Sequence, residues 1–364
     1  PEASLKSLPH VVIVGGGFAG LKACHALIGK PVRVTLIDKR NFNLFQPLLY
    51  QVASGLVSKG DVASPLRQMV GQGAKSVVVV GGGPSGCELA GSLNDLMRHA
   101  LERDFKQLDP NQCSVTLVDP GDRVLRAMNP SLSKAAESYF TSAGIKLLLG
   151  ARVKEITDGK VMVTTADGSQ TVEAATICWT AGVRASHLGQ VLADATGCTV
   201  DKGGRVSVEP DFSIPNHPEI RVIGDLCSYT HTADGKPLPG MAGPAVQMGG
   251  WVAADIVAKL QNEPHKPFAW FDFGSMAVLG PMHAVADFRG LRVSGLIGWI
   301  LWALAHLAFM PASENRASLL TKWLWAIATR ERGSLLITGH PNQHLNVDVG
   351  LDEVAIPADL QTPA

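Results

Sequence analysis

The chain lacks most of the features that recruit common macromolecular or inorganic partners. Its 32 basic and 32 acidic residues cancel to a formal net charge of zero, so no strong positive field attracts nucleic acid. Charged residues make up only 18% of the chain. The six cysteines (Cys24, Cys87, Cys113, Cys178, Cys198 and Cys227) include no CxxC or other metal-ligand spacing. That pattern excludes a metal site of closely spaced thiols and fits inert thiols in a reducing compartment. The first strand is expected at about His10, which leaves no room ahead of it for a signal peptide or transit sequence.

What the chain has in quantity is apolar residue and glycine. A hydrophobic fraction of 46% and 38 glycines in 364 residues argue against disorder and fit a loop-rich α/β protein with two cores. Val77 to Leu93 reads VVVVGGGPSGCELAGSL. Four consecutive valines predict a fully buried strand. Gly81, Gly83 and Gly86 follow at G-x-G-x-x-G spacing, and a helix continues from Glu88 to about Lys106. In such a unit the first glycine permits a tight turn and the second a close approach to a diphosphate. The third permits helix–strand packing, and the diphosphate sits at the helix N-terminus.

The same arrangement occurs earlier, where HVVIVGGGFAG places Gly15, Gly17 and Gly20 after a strand. Two copies in one chain predict two dinucleotides. In the first unit a helix (Leu21 to Leu27) and a strand (Val32 to Ile37) lead to Asp38, 18 residues beyond Gly20. That is close to the spacing of a carboxylate accepting the adenosine ribose hydroxyls, with an ordinary turn aspartate as the alternative. Lys39, its neighbour, is a further cofactor-binding candidate. In the second unit, Ser114 to Val118 is a strand ending at Asp119, 33 residues beyond Gly86. The spacing implies an insertion at about Arg98 to Gln112. Asp119 would bond a ribose 2′-hydroxyl and repel a 2′-phosphate, and no arginine follows immediately, so NADH is preferred over NADPH.

From Gly144 to Thr180 short apolar runs (Ile145–Leu149, Val153–Ile156, Val161–Thr165, Ala175–Thr180) alternate with the hairpin signals Asp158-Gly159 and Asp167-Gly168, predicting a small sheet. Arg221 to Gly224 reads as a short buried strand ending at Asp225. Val293 to Met310 is an uncharged stretch of 18 residues at the margin of spanning length, but its glycines and His306 argue against a clean span. Ala317 to Ala328 follows, flanked by Arg316, Arg330 and Arg332. Trp299, Trp302, Trp323 and Trp325 fall in these segments, a composition that favours lying in the headgroup region of a membrane over a hydrophobic dimer interface.

With these motifs in view, the chain resembles the type II NADH:quinone oxidoreductases, single-subunit, membrane-attached respiratory flavoproteins. The most specific matches are DKRNFNLFQPLLYQVASG (Asp38 to Gly55), the second glycine motif, ICWTAGVRAS (Ile177 to Ser186), RVIGDL (Arg221 to Leu226), PGMAGPAVQMGGWVA (Pro239 to Ala253) and GSMAVLGPMHAVADF (Gly274 to Phe288). The resemblance implies an α/β fold of two Rossmann-like dinucleotide-binding domains plus C-terminal amphipathic membrane-attachment helices. It implies FAD at Gly15, Gly17, Gly20 and Asp38, with Asp225 at the ribitol–phosphate part, and NADH at Gly81, Gly83, Gly86 and Asp119. Glu88 is then a candidate for proton handling, and Gln247 lines the quinone pocket.

The implied organisation is an FAD-binding domain in two parts (1–73 and 183–272), an NADH-binding domain (74–182), a membrane-attachment region (273–340) and a tail (341–364). The partners implied are a membrane quinone and a membrane surface at the cytoplasmic face of the inner membrane, with homodimerisation through the C-terminal segments adding avidity. Two departures stand out. Gly243 and Met248 replace glutamines that many relatives carry, and between Arg67 and Lys75 a long segment of the FAD half is absent, which leaves sheet edges unpaired. Two alternatives follow: a non-catalytic NAD(H)-binding remnant without stable FAD, or a pyridine nucleotide–disulfide-type oxidoreductase, which needs a cysteine pair at the flavin.

Overall fold

In the computed structural model, residues 8–38, 48, 51, 76–100, 113–157, 159–310 and 313–329 are described. Strand β1 (His10–Val14) enters a glycine turn, helix α1 (Phe18–Ala26) follows, and β2 (Arg33–Ile37) pairs with β1 in parallel register, Val12 beside Thr35. This crossover repeats as β3 (Ser76–Val80), α2 (Pro84–Asp95) and β4 (Ser114–Asp119), then α3 (Pro130–Ser142) and β5 (Lys146–Leu149). An antiparallel sheet of β6 (Arg152–Thr157), β7 (Lys160–Thr165) and β8 (Gly168–Glu173) precedes β9 (Thr176–Trp179). The parallel sheet has the order β5-β4-β3-β9. Val77 to Val80 at its centre are at most 4% exposed, as expected for β-branched residues covered on both faces.

The second half of the chain contains α4 (Leu188–Thr196) and four short strands: β10 (Val206–Ser207), β11 (Ser213–Ile214), β12 (His217–Arg221) and β13 (Cys227–Ser228). Helix α5 (Ala242–Leu260) then packs along α1, so closely that a Cβ on Gly249 would lie 2.2 Å from the Ala19 carbonyl oxygen. An ionic cluster holds this region together: Arg221 reaches Asp211 (3.1 Å) and Asp255 (3.2 Å), and Lys259 reaches the same two carboxylates. Antiparallel β14 (Ser275–Gly280), β15 (His283–Phe288) and β16 (Leu291–Ser294) pack on α2, and α6 (Gly295–Phe309) and α7 (Ser313–Thr329) end the described chain.

Several sequence expectations need correcting. Helix α2 begins at Pro84, where proline suits a first turn. Its α-helical part ends at Asp95 and passes into a π turn over Leu96–Ala100, and the expected end at about Lys106 lies outside the described residues. Residues 145–149 and 175–180 do not join the small sheet; β5 and β9 flank the parallel one. The small sheet's third strand is β8, a polar GSQTVE run invisible to apolar patterning. The strand expected at Arg221 to Gly224 instead ends at Arg221, because Gly224 has φ +70° and opens a 3-10 turn, Gly224–Leu226.

The C-terminal stretch differs too. Val293 and Ser294 belong to β16, Gly295 turns with φ +70°, and α6 has 15 residues. No described helix is long and apolar enough to cross a membrane. Trp302 and Trp323, expected at headgroup level, are 1% and 3% exposed. Their rings lie 5.2 Å apart, and the Trp323 indole donates to Gln51 Oε1 at 3.0 Å. Both belong to the buried cluster that also holds Leu319, Met310 and Val285, where a large ring buries more area than it could at a surface. In the first unit, by contrast, the described sheet has two strands, and Val12, Val14 and Ile37 are 50–63% exposed. Whether this sheet's edge stays unpaired, as the absent segment suggests, falls on residues 39–75, most of which lie outside the described residues.

Candidate functional site: two glycine turns and a buried glutamate

The two glycine turns are copies of one another, contact by contact. In the first, the Gly15 amide donates to Ile37 O and the Gly16 amide to Asp38 Oδ2 (2.5 Å). In the second, Gly81 donates to Val118 O and Gly82 to Asp119 Oδ2 (2.6 Å). Gly15 and Gly81 have φ of +106° and +115°, a region that disfavours any side chain. A Cβ on Gly20 or Gly86 would fall 1.9 or 1.8 Å from the carbonyl oxygen of Gly15 or Gly81. Glycine is therefore needed at both helix–strand crossings. At Gly17 and Gly83 an added Cβ would meet nothing within 4 Å, so each middle glycine opens outward.

Each turn thus presents free space in front of a helix N-terminus, with a carboxylate held at the adjoining strand end. A dinucleotide diphosphate needs that cradle, so the residues present fit FAD and NADH. The second turn is braced further. Asp119 also accepts from the Gly121 amide (2.7 Å), and Thr180 Oγ1 donates to Val80 O. Lys39 lies outside the described residues, as does most of the DKRNFNLFQPLLYQVASG stretch.

Asp225 sits in the 3-10 turn that follows β12. The close approach of α1 to α5 carries this turn to the first glycine unit, since a Cβ on Gly224 would lie 3.3 Å from Ala19 Cβ. A small cleft here is lined by Arg205, Asp225, Gly240, Met241, Ala245 and Met248. Burial raises the Asp225 carboxyl above its ordinary pKa. Gly224 and Gly249, which let the helices and the turn meet, were not singled out from sequence. Only their Gly-Asp and Gly-Gly contexts could have signalled them.

Glu88 lies on α2, just past the second turn, and its Oε1 accepts from the Val278 amide at 3.4 Å. Loss of hydration in the seam between α2 and β14 pushes its pKa up to about 8. The seam is tight, because a Cβ on Gly91 would meet the Leu279 carbonyl oxygen at 1.8 Å. Gln247 is on α5, with its carboxamide engaged at both ends. Nε2 donates to Phe271 O and Oε1 accepts from Phe271 N, each at 2.9 Å. Phe271 stacks edge-on with Phe273, and Phe273 in turn with Phe309 of α6. Burial pushes the Cys178 thiol up to about 11 and Cys227 to about 12, so neither is a ready nucleophile at neutral pH.

The sequence pattern of the pyridine nucleotide-disulphide oxidoreductase family matches residues 9–72 and 61–249. The two pieces meet where the sequence indicates an absent segment. The type II NADH:quinone oxidoreductase Ndh of Mycobacterium tuberculosis is 30% identical over 432 residues, covering 93% of this chain and 92% of that protein. The NdhA protein of the same organism is 29% identical, covering 90% of this chain and 89% of its own length. The Ndh alignment is longer than the 364-residue chain, so the relative has positions without a counterpart here. Among solved structures, NDH2 from Plasmodium falciparum in complex with NADH superposes with a TM-score of 0.76 at 14% identity, covering 87% of this chain and 98% of that one. The sulfide:quinone oxidoreductase from Aquifex aeolicus follows at 0.62 and 15%, with coverages of 89% and 92%.

Proposed function

The chain belongs to the type II NADH:quinone oxidoreductases, within the pyridine nucleotide-disulphide oxidoreductase family, and we propose that it oxidises NADH with FAD and reduces a membrane quinone without pumping protons. The observation that carries this reading is the pair of matching glycine turns, each with an aspartate held at its strand end, with Glu88 buried just beyond the second.

FAD, when bound, supplies the hydride acceptor and the two-electron donor; the rest of the work is positioning by the protein. Gly15, Gly17 and Gly20 at the N-terminus of α1 hold the FAD diphosphate. Asp38 and Lys39 serve its adenosine ribose, and Asp225 its ribitol–phosphate part. Gly81, Gly83 and Gly86 at the N-terminus of α2 hold NADH, and Asp119 accepts from its ribose. Glu88, neutral below about pH 8, carries a proton that a reduced quinone oxygen requires. Gln247 contributes through the Phe271–Phe273 segment that it fixes.

The proposed organisation keeps the sequence divisions (1–73, 74–182, 183–272, 273–340 and 341–364), with α6 and α7 as described parts of the membrane-attachment region. These helices expose Ile297, Ile300, Leu304, Leu324 and Trp325, an apolar surface suited to lying monotopically in the headgroup region. The cytoplasmic face of the inner membrane is the location, and a homodimer would double this surface. A second reading, an NAD(H)-binding remnant without stable FAD, draws on the exposure of Val12, Val14 and Ile37 among the described residues.

The visible spectrum of the detergent-purified protein tests the choice. A flavin spectrum that bleaches with NADH and recovers with a quinone analogue supports the enzyme. A colourless protein that takes up no added FAD selects the remnant.

A further inference from the structure

The loop after β4 folds back over the second glycine turn and brings an arginine to it. The Leu125 amide donates to the Gly82 carbonyl oxygen at 2.7 Å. Leu125 holds a left-handed conformation (φ +51°) while buried, so surrounding contacts fix this geometry. The next residue is Arg126. Its backbone carbonyl accepts from Arg123 Nη2 at 3.0 Å. Its aliphatic stem lies across Gly121, where an added Cβ would be 2.3 Å from Arg126 Cδ and 2.8 Å from Asp119 Oδ1. Gly121 therefore allows the stem to pass beside the Asp119 carboxylate. The head is loosely tied, 3.9 Å from Asp122 with 63% of the side chain exposed. It is a planar cation anchored by its stem, at the strand end where an adenosine ribose would bind.

We propose that Arg126 is a specificity-determining residue of the nicotinamide dinucleotide site, covering the adenosine end beside Asp119. This rests on the assignment of NADH to the second glycine turn. The guanidinium is suited to lie over an adenine face, a contact worth about a two- to fivefold change in affinity at an exposed site. The sequence has no arginine immediately after Asp119, and only the return of the loop through Leu125 brings this one back.

The experiment is a fluorescence titration of wild type and Arg126→Ala with NADH and with reduced nicotinamide mononucleotide, which lacks the adenosine half. Steady-state kinetics on the same proteins accompany it. The expected result is a two- to fivefold higher Kd and KM for NADH in the variant, with unchanged kcat and unchanged behaviour toward the mononucleotide. Arg126→Lys should recover only part of the loss, because an ammonium keeps the charge and not the plane. Equal NADH affinity in wild type and variant overturns the proposal, as does an equal loss with the mononucleotide. A wild-type protein that does not bind NADH at all overturns the underlying assignment as well.

Discussion

The Val278 amide and the Glu88 carboxylate meet 3.4 Å apart across the seam of α2 and β14, joining two segments 190 residues apart in the chain. One bond from a backbone amide does not offset lost hydration, and the acid stays protonated up to about pH 8. Quinone reduction that draws a proton from Glu88 should therefore fade as pH rises through about 8. Glu88→Gln should lower quinone turnover about a hundredfold and flatten that limb of the pH profile, while anaerobic flavin bleaching by NADH persists.

The same shift predicts a stability effect of definite sign. With a folded pKa near 8 and an ordinary unfolded value of 4.5, the folded state binds the extra proton between those limits. Stability contributed by this site is thus greatest below about pH 4.5, falls as pH rises to about 8, and is level above. Thermal unfolding of wild type and Glu88→Gln across pH 5 to 9 checks this, with the gap expected to move in favour of the glutamine variant as pH increases.

Much of this was legible in the chain, and the reasons are local. Valines followed by spaced glycines can satisfy φ of +115° at Gly81 and the crossing at Gly86 in few ways, so the geometry of both glycine turns was readable. Polar β8 was not, because its pairing with β7 is decided by backbone bonds rather than by an apolar face. The partners of Glu88 and Gln247 were hidden for another reason. Val278 and Phe271 contribute only backbone groups, which leave no mark in side-chain chemistry. Trp302 and Trp323 misled, since the same ring serves a headgroup layer or a core and only packing distinguishes them.

The two turns should fail separately. Gly20→Val puts a branched side chain where a Cβ already meets the Gly15 carbonyl oxygen at 1.9 Å. It should abolish flavin absorbance while leaving NADH binding intact. Gly86→Val should do the reverse, giving a yellow protein that NADH no longer bleaches. Absorption spectra and NADH titrations of the two variants provide the check.

Asp119 holds the amides of Gly82 and Gly121 as well as offering acceptor capacity to a ribose. Asp119→Asn keeps the shape but removes the charge. Hydrogen bonds to a charged group are the stronger class, so KM for NADH should rise about tenfold. The penalty against NADPH should shrink, because the negative charge that repels a 2′-phosphate is gone. The ratio of kcat/KM for the two nucleotides is the measurement.

The tryptophans and leucines of α6 and α7 separate attachment from folding. Leu304 is 59% exposed and Trp302, two residues earlier, is 1% exposed. Replacing Leu304 with Asp in an Ile297→Asp background puts two charges on the exposed face and removes little core packing. That double variant should keep the wild-type Tm and lose sedimentation with anionic lipid vesicles, because burying a charge in the acyl boundary is costly. Trp302→Ala instead leaves a cavity beside Trp323 and should cost about 3–5 kcal/mol of stability, with vesicle binding retained by whatever remains folded. Unchanged vesicle binding in the double variant would remove the membrane from the account of this face and leave a protein interface in its place.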